Sequence, residues 1–256
     1  MTRSRNGKQK INNRNISLVV EYDGTNYHGW QCQPNGITVE ETLRLAIERI
    51  LDHPVKMYSA GRTDAGVHAF GQVVNFTTGK QIPLTNIQRG LNSLLPHDIR
   101  IKDASEQNSG FHARYSARSK TYIYSIHNAP CHSPFSARYS WHIPYALEIA
   151  PMNRAIRTLT GKHDFSSFKK KNEPYKSCER AVLRAGVKRR GAFVYVIIEA
   201  TGFLRYMVRN IVGTLVLLGS GKITFEEFEG IINAKDRDNA GPTAPPQGLF
   251  LRKIKY

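Results

Sequence analysis

A chain of 256 residues, 40% hydrophobic and 22% charged, is long enough for one large domain or two small ones with real cores. Its formal net charge of +17 favours a polyanionic partner, reached through phosphate contacts and counterion release. No run of about eighteen apolar residues occurs, the longest piece being Ile211 to Leu218, which excludes a helical membrane span and predicts no membrane partner.

The first segment, residues 1–14, carries Arg3, Arg5, Lys8, Lys10 and Arg14 with no acid, and reads as a basic, flexible arm. It lacks the apolar core of a signal peptide. Ile16 to Tyr22 reads as a strand that runs into the polar and aromatic loop Asp23 to Gln31. Thr38-Val39-Glu40-Glu41 has the form of a capping box, and the helix behind it shows Val39, Leu43, Ala46, Ile47 and Ile50 on one face. His53-Pro54 ends that helix. Val55 to Tyr58 and Val73 to Phe76 read as strands on either side of a glycine-flanked loop. Pro83 opens a second helix with Ile87, Leu91 and Leu94 inward, and Asp98 to Lys102 is a further strand. Strand, helix, strand, strand, helix, strand is the ferredoxin-like order.

A comparable set follows. Lys120 to His127 alternates as a strand, and Pro151 to Leu159 is helical with Met152, Ala155, Ile156 and Leu159 as its apolar positions. Ala181 to Lys188 and Ala192 to Ala200 form a hairpin through Arg190-Gly191. Tyr206 to Leu218 is a strongly apolar helix closed by Gly219 and Gly221, Phe225 to Ile232 another, and Leu249 to Ile254 a closing strand. The order of elements is duplicated, with a seam near Phe111 to Ser119. The expected fold is α+β: halves 15–115 and 116–256, each ferredoxin-like or RRM-like, with mixed, mainly antiparallel sheets.

The loop between the first half's middle strands is the most informative stretch: Gly61-Arg62-Thr63-Asp64-Ala65-Gly66-Val67-His68-Ala69. One acid stands between two glycines, with an arginine before and a histidine after. Gly61 and Gly66 suit a tight turn and close approach of a ligand. Such an Asp is either a turn former bonding its own backbone or a working acid held in the open by firm strands. This nine-residue string closely resembles the active-site motif of the TruA family of tRNA pseudouridine synthases. The resemblance extends over Ile16 to Tyr256. It rests also on the loop Tyr22 to Gln31, on Phe111-His112-Ala113-Arg114 with the following Tyr122-Ile123-Tyr124, on Met207-Val208-Arg209-Asn210-Ile211-Val212-Gly213, and on the tail Ala240 to Leu251.

The resemblance implies the pseudouridine synthase fold, with the joined sheets around a central RNA-binding cleft. It implies that Asp64 is the catalytic acid, that Arg209 is its ion-pair partner, that Arg62 contacts the RNA and helps hold the target nucleotide out of the stack, and that Leu249 lines the uracil pocket. It makes Tyr122 an aromatic platform for the flipped base; by spacing alone, Tyr122 and Tyr124 are equally core residues of a strand. Arg205 lies four residues before Arg209 on the same helix face and competes for its role. Asp23 is a second acid, but its Asp-Gly pair reads as turn chemistry. If Arg209 grips Asp64 with two parallel bonds, the acid's pKa lies below its ordinary value.

The substrate so implied is tRNA, modified at uridines 38–40 of the anticodon arm, and the assembly a homodimer. The chain has no P-loop and no dinucleotide glycine motif, and its histidines lack metal-ligand spacing. No cofactor and no metal is expected. The three cysteines, Cys32, Cys131 and Cys178, are odd in number and far apart, which argues for a reducing compartment and a cytoplasmic address. Two other readings share the basic charge: an RNA-binding protein without catalysis, built on RRM-like halves, and a metal-dependent nuclease using Asp64 and His68.

Overall fold

A computed structural model describes residues 13–256, so the basic arm lies outside the described residues except for Asn13 and Arg14. Arg14 is no part of a free arm: it opens the first strand and pairs with Glu106 at 2.9 Å.

The first half runs β1 (Arg14–Tyr22), α1 (Val39–Leu51), β2 (Tyr58–Ser59), β3 (His68–Thr78), α2 (Leu84–Leu94) and β4 (Ile99–Gln107). Its strands lie side by side as β4-β1-β3-β2, all antiparallel, the ferredoxin-like arrangement. The second half runs β5 (Ser119–Asn128), β6 (Trp141–Ile143), α3 (Ile149–Thr158), β7 (Gly161–Asp164), β8 (Glu179–Arg190), β9 (Phe193–Ala200), α4 (Met207–Gly219), α5 (Phe225–Ala234) and β10 (Leu249–Lys255). Setting aside the short β6 and β7, its order β10-β5-β9-β8 repeats the first.

The halves share one sheet. β10 pairs antiparallel with β5 along its length, and its Phe250 and Leu251 pair in parallel with His68 and Ala69 of β3. β2 takes the same edge of β3 farther along, opposite Val74 and Asn75. Ile16, Leu18, Val20 and Tyr22 of β1 are all buried, as their alternation requires. The expected seam is tied down by buried polar groups on the intervening positions. Asn15 Nδ2 donates to the carbonyls of Asn108 and Phe111, both at 2.9 Å, and Asn75 Oδ1 accepts from the Ala113 amide at 2.8 Å. These bonds satisfy the backbone of a connector that crosses the sheet without strand partners of its own.

Several local expectations need correction. The strand expected over Val55 to Tyr58 shrinks to Tyr58–Ser59, because the Val55 amide goes to Glu48 Oε1 (3.1 Å) and His53 takes the Thr78 hydroxyl (2.8 Å). Leu94 is exposed and Leu95 is the buried residue, since the helix ends and the chain turns extended at Leu95. Ile50 is only partly buried and Leu51 takes its place in the core. Thr38 does cap α1, accepting from the Glu41 amide, but the box is half made. Its neighbour Glu40 accepts from the Cys32 amide instead. A complete capping box forms at Thr224 and Glu227.

Candidate active site

The Asp64 loop occupies the gap between β2 and β3, beside the point where β10 enters the sheet. The Val67 amide donates to the Asp64 carbonyl (3.1 Å) and closes the turn, with Gly66 at φ +74°. Gly61 has no positive φ; its hydrogen faces Lys120, whose Nζ would stand 3.4 Å from a β-carbon there. The expectation that both glycines supply unusual backbone angles therefore holds for Gly66 alone.

Beneath the turn lies the aromatic loop that follows β1. The Trp30 amide donates to the Thr63 carbonyl (3.0 Å), the Tyr22 hydroxyl bonds the Thr63 hydroxyl (2.8 Å), and the Gly66 amide reaches the Tyr27 carbonyl (3.4 Å). A β-carbon on Gly29 would fall 2.8 Å from the Thr63 carbonyl oxygen, so the two loops touch backbone to backbone. Tyr22, Tyr27 and Trp30 are buried. That bed is why a short loop holds its acid still.

Asp64 is itself only 21% exposed and meets two guanidinium groups. Arg209 Nη1 lies 3.3 Å from Oδ2, and Arg205 Nε lies 3.6 Å from Oδ1. The expected two-bond fork is not what forms. Arg209 spends its Nε on the Ala244 carbonyl (2.7 Å), while the Ala244 amide returns a bond to the Arg209 carbonyl. The tail 240–246 is thereby clamped to α4, where a β-carbon on Gly213 would collide with the Pro242 carbonyl. Arg205 and Arg209 do not compete for one place; they divide the carboxylate.

Burial pushes the Asp64 carboxyl above its ordinary pKa, and the opposing pull of Arg209 and Arg205 does not cancel it. The sequence expectation had the opposite sign because it counted the charge partner and not the desolvation. Tyr206, at φ +66°, starts α4 between these arginines, its ring 4.9 Å from Arg209 and 5.4 Å from Arg205.

Tyr122 on β5 is buried, edge-on to Phe203 with ring centroids 4.9 Å apart. Burial raises its pKa, with further pressure from Tyr22 and Asp64, so the phenol stays protonated at neutral pH. Tyr124 is fully buried and donates to the Pro245 carbonyl (2.7 Å), a packing role. Leu249 is buried where β10 begins, opposite Tyr124, and two residues on Leu251 faces Tyr122. Arg62 is exposed and has no carboxylate within 4.0 Å among the described residues. Contact thus joins Asp64, Arg209 and Arg205, and Tyr122 stands close enough to feel the Asp64 charge. Neither Arg62 nor Leu249 makes a side-chain hydrogen bond or ion pair with Asp64 among the described residues.

His68 does not join Asp64. Its Nδ1 lies 3.0 Å from Asp23 Oδ1 and its Nε2 bonds the Arg138 carbonyl, so the pair a nuclease would need is not assembled. Asp23 is held by the Thr25 hydroxyl and amide and by the Tyr139 hydroxyl, with Arg138 Nη2 3.6 Å from its Oδ2, while the facing His68 Nδ1 accepts from the Gly24 amide. Burial works to raise its pKa, but these partners bring it below the ordinary value.

Two neighbours lie outside the motifs. Glu173 Oε2 stands 3.6 Å from Arg205 Nη1, and Tyr175 links Glu173 to the Arg205 amide. The stretch around Glu173 has no periodicity that would have marked it. Lys120 Nζ donates to the Ala60 carbonyl at the foot of the Asp64 loop, and burial, aided by Arg114, pushes its pKa down to about 8. Its signal was the alternation that puts Lys120 on the same face of β5 as Tyr122. Among the described residues no group of three or more His, Cys, Asp or Glu side chains could hold a metal, and no helix is long and apolar enough to cross a membrane.

The family described as tRNA pseudouridine synthase matches residues 18–116 and 155–256. A protein of Thermoanaerobacter sp. (strain X514), described as tRNA pseudouridine synthase A, is 48% identical over 243 residues, spanning 95% of this chain and all of that protein. Proteins with the same description from Geotalea uraniireducens and Geobacter sulfurreducens are each 45% identical over the same shares. A solved chain of the archaeal box H/ACA sRNP Nop10-Cbf5 complex aligns over 88% of this chain and 59% of its own, at 15% identity and a TM-score of 0.31, and nothing rests on it. The paired guanidiniums on Asp64, the α+β sheet of two like halves and the near-full-length matches lead to one assignment: the chain belongs to the TruA family of tRNA pseudouridine synthases.

Proposed function

We propose that the chain isomerises uridine to pseudouridine in the anticodon arm of tRNA, at positions 38–40, with Asp64 as its catalytic carboxylate. The observation that carries this is the setting of Asp64, a largely buried acid on a braced loop whose only charged neighbours among the described residues are two guanidiniums. In the reaction the glycosidic carbon–nitrogen bond breaks, the uracil turns, and a carbon–carbon bond forms to the same sugar carbon. Atoms and electrons balance within the one nucleotide, so no cofactor, metal or second substrate is required.

Asp64 opens the sequence in its ionised form, and Arg209 and Arg205 favour that form against the cost of burial. Neither arginine takes both oxygens of Asp64, so each oxygen keeps bonding capacity for the substrate. Tyr122 offers a ring face to the displaced base and a hydroxyl that stays a donor. Leu249 lines the apolar side of that pocket. Arg62, exposed and uncommitted, reaches the RNA next to the extruded nucleotide. The halves 15–115 and 116–256 bring Asp64 and its arginines from opposite sides of the β3–β10 junction. The protein acts as a homodimer in the cytoplasm. The cysteines fit a reducing compartment, since Cys32, Cys131 and Cys178 are all free.

Incubation with unmodified tRNA transcript in EDTA, followed by mapping of pseudouridine, tests the reading. Product at one or more of positions 38–40 is expected. Binding without product would make the chain an RNA-binding protein only, and strand cleavage would make it a nuclease.

A further inference from the structure

The strand that leads into the Asp64 loop takes part in a second aromatic arrangement that the proposed reaction does not use. The rings of Tyr58 and His112 have centroids 4.5 Å apart, and those of His112 and Tyr115 are 4.4 Å apart. His112 is fixed in the middle: its Nδ1 accepts from the Arg114 amide (3.1 Å) and its own amide donates to the Ser116 hydroxyl (3.1 Å). Tyr115 ends the row with 77% of its surface exposed. Cations sit over both outer rings, Lys56 Nζ 5.4 Å from the Tyr58 centroid and Arg114 Cζ 5.7 Å from that of Tyr115.

The surroundings are cationic throughout. Lys56, Arg114 and Lys120 have no carboxylate within 4.0 Å among the described residues, and Lys120 lies close enough to Arg114 to feel its charge. The row is continuous with the active site, since β2 begins at Tyr58 and leads straight into Ala60, which Lys120 holds.

A row of aromatic rings, tilted at 43° and 40° to one another, ending in an exposed tyrosine and edged by cations without carboxylate partners, suits a ligand that is both planar and anionic. A second copy of this chain fits poorly, because a two-fold contact would set the same acid-free cations against each other. We propose that Tyr58, His112 and Tyr115 form a stacking platform for an unpaired base of the bound RNA other than the target uridine, with Arg114 and Lys56 on the phosphates that flank it. The proposal rests on tRNA being the substrate.

Binding of unmodified tRNA transcript to the Asp64→Asn protein measures the platform apart from chemistry. Adding Tyr115→Ala should weaken binding roughly tenfold, the size of one base–aromatic contact, and leave the salt slope unchanged. Tyr115→Phe should bind as the parent does. Arg114→Gln should weaken binding and lower the log–log salt slope by about one. The exposure of Tyr115 lets the alanine variant fold, which thermal unfolding checks. Tyr115→Ala binding at parental strength overturns the platform. Equal loss in the alanine and phenylalanine variants overturns stacking in favour of a hydroxyl contact. A change of oligomeric state in RNA-free Tyr115→Ala, seen by sedimentation, would assign the surface to contact between copies instead. If wild-type protein makes no pseudouridine, the functional reading fails; if it does, and Tyr115→Ala binds normally, only the platform fails.

Discussion

Asp64 and Asp23 sit on adjoining glycine-containing loops at one end of the same sheet, and their side chains are almost equally exposed, at 21% and 20%. Their surroundings differ in kind. Asp23 also has an arginine, Arg138 Nη2 at 3.6 Å, but in addition it collects the Thr25 hydroxyl and amide and the Tyr139 hydroxyl, which fill its oxygens and lower its pKa. Asp64 receives no hydroxyl and no backbone amide among the described residues, only two arginines that approach at 3.3 and 3.6 Å, and its pKa rises. An acid whose oxygens are filled by hydrogen bonds is a fastener. One that is buried, charged and incompletely bonded is available for reaction. Residue type and exposure are alike for both, and partner chemistry separates them.

That contrast is open to experiment. Asp64→Asn should cut turnover by about a hundredfold or more while tRNA affinity and unfolding temperature change little, as single-turnover assays and binding titrations would show. The reverse applies at the other acid. Asp23→Asn should cost about 1–3 kcal/mol of stability by denaturant unfolding and leave turnover within tenfold. An inactive but fully stable Asp23→Asn protein would break the comparison.

The two arginines sharpen it. Removing a cation beside Asp64 withdraws support from the ionised form, so an already raised pKa climbs further and the acid limb of the pH–rate profile moves to higher pH. Arg209→Lys should weaken turnover by about tenfold and shift that limb upward with most tRNA affinity kept. Arg205→Ala should move the limb in the same direction by less, because Arg205 is half exposed and shared with Glu173. An unmoved limb in both variants, with a smaller salt slope for binding, would put these arginines on phosphates instead.

The smallest effect concerns Lys120. Its pKa is about 8 in the folded protein and higher in the unfolded chain, so between these values the unfolded state binds more protons. Stability relative to Lys120→Met should therefore rise as pH climbs from about 8 towards 10, and a flat difference across that window would show the ammonium to be better solvated than the structure implies.

Much of this was legible beforehand, for identifiable reasons. Thr38 announces α1, Arg190-Gly191 announces the β8–β9 hairpin, and the repeated order of strands and helices announces two like halves. Asp64, Tyr122 and Arg209 came from motif resemblance. Periodicity alone left Tyr122 equal to Tyr124. What escaped depends on partners remote in sequence. β2 is short because Glu48 and His53 take what a longer strand would use. The sign of the Asp64 shift follows from burial by loops that no local window contains. Glu173 reaches Arg205 from an irregular stretch, and Arg209 turns its Nε to Ala244 because the tail folds back over α4.

The place of β10 bears on how the molecule is made. The strand that welds β3 to β5 comes last in chain order, so residue 251 must find residues 69 and 122 after everything between has emerged. Pairings across such separations are slow to form. Until then β3 presents an open edge at His68 and Ala69, next to the loop that bears Asp64, and open edges invite wrong partners. A chain halted before Leu249 would already contain Asp64, Tyr122 and Arg209, yet it would lack the strand that holds one half against the other.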